Sequence, residues 1–196
     1  MLDFSNQEAV GEIIGLFAAD GNCCHCKQSY KVRFFLSTKE EIYGVKIIKL
    51  LNNFCNRKPY LYKINNMLVI GYTSKRLYFF IQEYLTWTGI KTNTVRLTNL
   101  DHNKAFLKGF IRGYFDGDGF SDKDRRRISI VGVSYEMMYQ IYSILIGFGF
   151  EPQFYFKEEK QSYRKTLYRI ILKQDQASNF IKFIDPGNPN RIRKWG

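Results

Sequence analysis

Apolar positions along this chain recur with two periods, and the periods change places in a fixed order. Val10, Ile13, Ile14 and Phe17 stand at helical spacing, behind Ser5-x-x-Glu8, which resembles a capping box, and the run stops near Gly21. From Cys23 to Leu36 the period drops to two. The pattern predicts a hairpin turning at Gln28-Ser29-Tyr30, with Val32, Phe34 and Leu36 on one face. A second helix is predicted from Thr38 (TKEEIYGVKIIKLLNNF), its stripe running through Ile42, Val45, Ile48 or Lys49, and Leu51 or Asn52. A strand pair from Tyr60 to Tyr72 then turns at Asn65-Asn66, and Ser74 opens a third helix, SKRLYFFIQEYLTW.

The second half repeats this order. AFLKGFIRGYFDGDG (Ala105 to Gly119) reads as an apolar helix, and Arg125 to Val133 alternates as a strand. A helix starts at Ser134, Gln153 to Lys173 holds two strands, and DQASNFIKFI closes the chain as a helix. The order helix-strand-strand-helix-strand-strand-helix therefore occurs twice, offset by 118 − 20 = 98 residues. The expected fold class is α+β, with two pseudo-symmetric αββαββα halves, residues 1–98 and 99–196, joined by a linker at about 98–104.

The first helix of each half carries small residues four apart: Gly11, Gly15 and Ala19, then Gly109, Gly113 and Gly117. A glycine inside a helix costs roughly 1 kcal/mol relative to alanine, which close approach of two helices would justify. Packed together, these helices would end side by side on Asp20 and Asp118. Two carboxylates at two helix C-termini face both the partial negative charge of the helix ends and each other. A hard divalent cation such as Mg²⁺, held by carboxylate and carbonyl oxygens, would offset that charge. For a single helix, Asp-Gly reads equally well as a plain stop with a left-handed glycine cap; the second copy in a duplicated frame argues against it.

Composition narrows the partner. Hydrophobic residues make up 45% and aromatics 17% of the chain, which excludes a disordered protein. Thirty Lys and Arg against 18 Asp and Glu give a net charge of +12, pointing to a polyanion, whether nucleic acid or an anionic surface. The basic residues interleave with aromatics, as in KVRFF and NRKPYLYK. No run reaches the length of a membrane span and MLDFSNQEAV lacks the pattern of a secretion signal, so a soluble intracellular protein with reduced thiols is expected. Cys23, Cys24, His25 and Cys26 are too crowded to place four ligands around one zinc ion, and the second half has no counterpart to them.

IIGLFAADG (Ile13 to Gly21) and IRGYFDGDG (Ile111 to Gly119) resemble the two motifs of the LAGLIDADG homing endonucleases in their single-chain form. The resemblance covers essentially the whole chain. It implies that the motif helices form the interface between halves and that each half lays a curved antiparallel sheet into the DNA major groove. It makes Asp20 and Asp118, the eighth motif residues, the metal-binding acids, assisted by the backbone carbonyls of Ala19 and Gly117. Mg²⁺ is the implied cofactor, with Mn²⁺ or Ca²⁺ as substitutes, the latter in a non-cleaving complex. Double-stranded DNA of about 20 base pairs is the implied partner of a monomer with internal pseudo-two-fold symmetry. The sixth motif position is Asp116 in the second half and Ala18 in the first, which marks Asp116 as mainly structural.

Lys173, entering the last helix, looks like the family's active-site lysine, and Gly71-Tyr72-Thr73 offers no counterpart, so unequal halves are expected. Alternation places Lys31, Arg33 and Phe35 on the DNA face of the first sheet, and the resemblance adds Asn22, Cys24, Cys26 and Gln28. The same logic gives Arg125, Arg127 and Ser129 in the second sheet, with Arg164, Arg169 and the tail Arg191-Ile192-Arg193-Lys194 as phosphate contacts. The resemblance also covers RNA maturases that assist intron splicing and non-catalytic sequence-specific DNA-binding regulators on the same scaffold.

Overall fold

In the computed structural model, which describes residues 2–122, 126–157 and 166–192, two helices lie backbone to backbone at the centre of the molecule. They are α1 (Gln7–Asp20) and α5 (Lys104–Asp118). A Cβ placed on Gly11 would lie 2.0 Å from the Phe106 carbonyl oxygen, and one on Gly15 2.0 Å from that of Phe110. From the other side, Gly109 and Gly113 would meet the Glu8 and Glu12 carbonyl oxygens at 1.9 and 2.1 Å. The helices run in the same direction, so their C-termini meet, as the glycine spacing predicts.

Both helices begin on an asparagine. Asn6 accepts from the Ala9 amide at 3.0 Å and Asn103 from the Phe106 amide at 2.8 Å. The cap predicted at Ser5 is thus displaced by one residue, because Ser5 is held by Asp3. At the other end, Gly21 (φ −93°) and Gly119 (φ −94°) continue in extended backbone straight into a strand. Neither is a left-handed cap. A side chain at either position would strike the Phe17 or Phe115 ring, 2.3 and 2.1 Å away.

Each half adds a four-stranded antiparallel sheet. The first contains β1 (Gly21–Cys26), β2 (Ser29–Ser37), β3 (Tyr60–Ile64) and β4 (Met67–Thr73), in the order β1-β2-β4-β3. The β1–β2 turn falls at Lys27-Gln28, with Lys27 at φ 55°, earlier than the predicted turn. Asn65, at φ 50°, turns β3 into β4 as predicted. The second sheet contains β7 (Gly119–Asp122), β8 (Arg127–Gly132), β9 (Gln153–Lys157) and β10 (Leu167–Lys173), in the equivalent order β7-β8-β10-β9. Helices α2 (Glu41–Cys55), α3 (Lys75–Tyr84), α6 (Tyr135–Gly147) and α7 (Gln174–Ile184) back the sheets. Val32, Phe34, Leu36, Ile128, Ile130, Ile170 and Leu172 fill the core between.

The stripe of α2 is rotated from the predicted one. Its buried residues are Tyr43, Gly44, Ile47, Leu51 and Phe54, whereas Ile42 is 79% and Val45 67% exposed. A 3-10 turn (Thr38–Glu40) locked by a Ser37–Glu40 capping box delays the helix to Glu41, and the Leu68 side chain lies 2.9 Å from where a Gly44 Cβ would be. The stretch after α3 also differs. Instead of continuing through Trp87, the chain forms a small hairpin, β5 (Leu85–Thr86) and β6 (Arg96–Leu97), enclosing one helical turn, α4 (Lys91–Thr94). Gly89 at φ 64° makes the reversal possible.

One charged cluster crosses the helix pair. Arg112 on α5 reaches Glu12 on α1 at 3.0 Å and also contacts Glu8, while Lys108 lies 3.3 Å from Glu8 and Lys46 3.5 Å from Glu12. Glu12 is buried, so Arg112 is what makes its charge tolerable.

Candidate active site and nucleic-acid face

Asp20 and Asp118 are the last residues of α1 and α5. A Cβ on Gly117 would lie 2.5 Å from the Ala19 Cβ and 3.0 Å from Asp20 Oδ2, so the absence of one is what lets the two helix ends close on each other. Burial, then the neighbouring Asp118, pushes the Asp20 carboxyl up to about 7, against the pull of Arg191 and Lys91. Burial likewise raises Asp118, opposed by the same two cations. Beside Asp20 opens a cleft of about 510 Å³ lined by Asn22, Cys23, Phe35, Trp87 and Lys91.

The donor set suits a hard divalent cation: two carboxylates with excess negative charge, at helix ends rich in carbonyl oxygens. Among the described residues no group of three or more His, Cys, Asp or Glu could form an all-side-chain cage. A cation here would therefore complete its shell with backbone, water and ligand oxygens. The cysteine cluster is divided by strand alternation. Cys23 packs against the core, Cys24 and Cys26 sit on the opposite face, and His25 stacks on Tyr30 with ring centroids 4.1 Å apart.

Two cations that the sequence reading did not place beside the acids lie at the helix ends. Lys91, carried by the β5–β6 hairpin, donates through Nζ to the Phe17 and Ala18 carbonyl oxygens, each at 2.8 Å. Burial lowers it to about 8, although Asp20 and Asp118 favour its charge. Arg191 donates through Nε to the Asp116 carbonyl oxygen at 3.0 Å and lies 3.5 Å from Glu40. This corrects its expected place in a free phosphate-binding tail; Arg193 and Lys194 lie outside the described residues. The sequence did hold a signal for Lys91: Gly89, two residues past the predicted helix end at Trp87 and two before Lys91, marks a reversal of the chain.

Asp116 is fully buried. It accepts from the Gly187 and Asn188 amides at 2.8 and 3.0 Å, and Asn188 Nδ2 donates to its carbonyl oxygen at 3.0 Å. It anchors the segment after α7, a structural role in keeping with the sequence reading. Lys173 is exposed at the end of β10, opposite Arg127. The cations whose charge acts on the acid pair are Arg191 and Lys91.

The outer face of the first sheet carries most of the residues proposed for it. Cross-strand pairing sets Asn22 beside Arg33 and Cys24 beside Lys31. Arg33 Nη2 donates to Asn22 Oδ1 at 2.9 Å and to Cys24 Sγ at 3.6 Å, and its guanidinium lies 5.8 Å from the Phe35 ring. Cys26 ends β1 and Gln28 lies in the exposed turn that follows. Register adds Tyr60 and Tyr62, stacked at 6.0 Å, with Tyr60 lying over Gly71. The alternation of Tyr60, Tyr62 and Ile64 along β3 was the sequence signal for them.

The second outer face differs. Arg127 is paired with Asp122 at 3.1 Å, and Arg169 lies over the Phe120 ring at 6.0 Å. Ser129 is fully buried between its cross-strand neighbours Phe120 and Ile171, and its hydroxyl has no partner, which corrects its expected base-reading role. An apolar hollow of about 260 Å³ lies among Tyr155, Leu167, Arg169 and Ile171. Arg125 and Arg164 lie outside the described residues.

This architecture matches solved structures over more than nine-tenths of its length. The homing endonuclease I-DmoI in complex with DNA and Mn superposes with a TM-score of 0.71 at 15% identity, covering 92% of this chain and 97% of that one. The N-terminal LAGLIDADG domain of DUF199/WhiA superposes at 0.61 and 15% identity, covering 97% of this chain and 84% of that one. The family model of a LAGLIDADG-like domain matches residues 105–185. Residues 105–185 carry a LAGLIDADG-like domain, and the chain as a whole has the fold of these structures. The matched residues run from α5 to α7, and α1 is the counterpart of α5 in the first half. A DNA-directed RNA polymerase subunit, Rpo1C of Methanocaldococcus jannaschii, is 37% identical over 71 residues, 35% of this chain. The match spans 8% of that relative's length. No helix among the described residues is long and apolar enough to cross a membrane.

Proposed function

We propose that this protein is a site-specific endonuclease of the LAGLIDADG type that makes a double-strand break in DNA, with divalent metal held by Asp20 and Asp118. The observation that carries this reading is the pair of half-buried carboxylates, each raised by burial, at the apposed ends of two helices between two antiparallel sheets. Burying two carboxylates side by side lowers stability, and DNA binding alone does not require it. The I-DmoI structures include complexes with DNA and Mn and with DNA and Ca, in keeping with a divalent cation at this place.

When bound, the metal would activate water and neutralise phosphate charge. The chain's own residues do the rest. Asp20 and Asp118 orient the cation and, in its presence, remain ionised. Residues 1–98 and 99–196 each contribute one acid and one sheet, so one centre faces each scissile phosphate. Asn22, Cys24, Lys31, Arg33 and Phe35 present a polar reading face on one half-site. Arg guanidinium pairs with guanine edges, worth about 1–3 kcal/mol of discrimination each. Arg127 and Arg169 work from the second sheet, and Lys173 adds a cation at its edge.

The test is incubation with Mg²⁺ and a library of long duplexes, followed by sequencing of cut ends. Asp20→Asn and Asp118→Asn should keep binding in Ca²⁺ and lose cutting. Binding without cutting by the unaltered chain would select the regulator reading, and preference for structured RNA the maturase reading.

A further inference from the structure

Lys91 and Arg191 arrive at the helix ends by equivalent routes. Each lies in the segment that follows the last helix of its half, α3 or α7, and folds back across the molecule. Lys91 binds the carbonyl oxygen of Ala18 and Arg191 that of Asp116, the sixth positions of the two motifs, which are 116 − 18 = 98 residues apart. The cations themselves are 191 − 91 = 100 residues apart. The match to the repeat offset is therefore within two residues, although the two segments share neither sequence nor local structure: one is a hairpin with a helical turn, the other a 3-10 turn, Pro189–Arg191.

Electrostatics supports the pairing independently. Lys91 and Arg191 both act on both carboxylates, against burial and against the acids' mutual repulsion. The settings differ in one respect. Arg191 is fixed by Asp116 and Glu40, whereas Lys91 lines the cleft beside Asp20. An ammonium has three donors, and two go to the Phe17 and Ala18 carbonyls, leaving a third for an oxygen in the cleft.

We propose that Lys91 and Arg191 form a pseudo-symmetric pair of positioning cations, each delivered by its own half onto the sixth-position carbonyl of its motif helix, where it serves as internal countercharge for the acid pair and sets the cutting rate at its own half's centre. The last clause rests on the endonuclease reading; the countercharge role does not. Lys91 thereby supplies in the first half what Gly71-Tyr72-Thr73 lacks.

Two experiments separate these. In EDTA at pH 8, the unfolding free energies of Lys91→Met, Asp20→Asn and the double variant form a thermodynamic cycle. Lys91→Met should lower the folding equilibrium constant at least tenfold more in the parent chain than in the Asp20→Asn background. Equal losses in both backgrounds overturn the proposal, whatever the protein's activity. Should Lys91→Met not fold alone, Lys91→Gln in both backgrounds gives the same comparison, while Lys91→Arg, which keeps the charge, should lose little in either.

The second experiment uses a duplex selected in Ca²⁺ from a randomised library, labelled on one strand or the other, and started with Mg²⁺ under single turnover. Lys91→Met should slow one strand roughly tenfold to a hundredfold and Arg191→Met the opposite strand, with Ca²⁺ stoichiometry on the complex unchanged by calorimetry and Lys91→Arg restoring the rate. Equal slowing of both strands, or none, overturns the rate-setting role. No cutting by the parent chain overturns the endonuclease reading and leaves the cycle to decide the countercharge.

Discussion

The same substitution, glycine to alanine, should have opposite signs at Gly15 and Gly147. A Cβ on Gly15 would stand 2.0 Å from the Phe110 carbonyl oxygen, against an ordinary contact of 3.4–4 Å. Both atoms belong to helix backbones, so no side chain can swing aside and α1 and α5 must part by more than about 1 Å. Overpacking of this kind costs roughly 1–3 kcal/mol when neighbours can yield, and here the upper end applies. Against about 3 kcal/mol stands a gain of about 1 kcal/mol in helix propensity, a net loss of about 2 kcal/mol. At Gly147, the last residue of α6, nothing lies within 4 Å of the added methyl. Only the propensity gain remains there, up to about 1 kcal/mol. For a chain of this size about 1 kcal/mol moves the melting midpoint by roughly 2–4 °C. Thermal unfolding followed by circular dichroism should therefore place Gly15→Ala about 4–8 °C below the parent and Gly147→Ala slightly above it. A Gly15→Ala protein as stable as the parent would refute the backbone-to-backbone packing of the motif helices.

Raising the Asp20 carboxyl to about 7 from an unfolded value of 3.8 means that the folded state keeps a proton the unfolded chain has lost between those pH values. Without metal, stability should fall as pH rises from about 4 to about 7, by at most about 4 kcal/mol. Urea midpoints in EDTA at pH 5 and pH 8 measure this, and Asp20→Asn should flatten the dependence; a parent chain more stable at pH 8 would contradict it. Mg²⁺ or Ca²⁺ at pH 8 should raise the melting midpoint of the parent and leave that of the Asp20→Asn, Asp118→Asn double variant unmoved. Asp116→Ala deprives the Gly187 and Asn188 amides of their acceptor. It should cost about 3 kcal/mol or more and open residues 185–192 to proteolysis. Arg33→Ala should cost about 1–3 kcal/mol of DNA binding and relax the preference at one base pair, whereas Ser129→Ala, at a buried site, should change neither.

The sequence made the repeated order of elements, the glycine seam and the two acids legible because each rests on local spacing: period four along a helix, period two along a strand, 98 residues between copies. What it hid depended on tertiary choices. Ile42 and Val45 fit a helical stripe as well as Tyr43 and Ile47 do, and only the 3-10 turn before Glu41 and the position of Leu68 over Gly44 select between them. Ser129 occupies an outward register position, but its neighbours Phe120 and Ile171 are large enough to close over it. Lys91 and Arg191 reach the acids across 91 − 20 = 71 and 191 − 118 = 73 residues of intervening chain, distances at which no periodicity carries information.

At the glycine crossings the seam between the halves is main chain against main chain, and main chain is the same whatever side chains surround it. Those crossings ask only for glycine spacing, and either sheet can change its outer residues without disturbing them. The parts that do identify the partner are side-chain contacts: Arg112 with Glu8 and Glu12, Arg191 and Asn188 with Glu40, and Arg96 with Glu136. Recombining this chain's halves with those of a relative becomes a matter of matching these few polar contacts, with the two reading surfaces inherited independently.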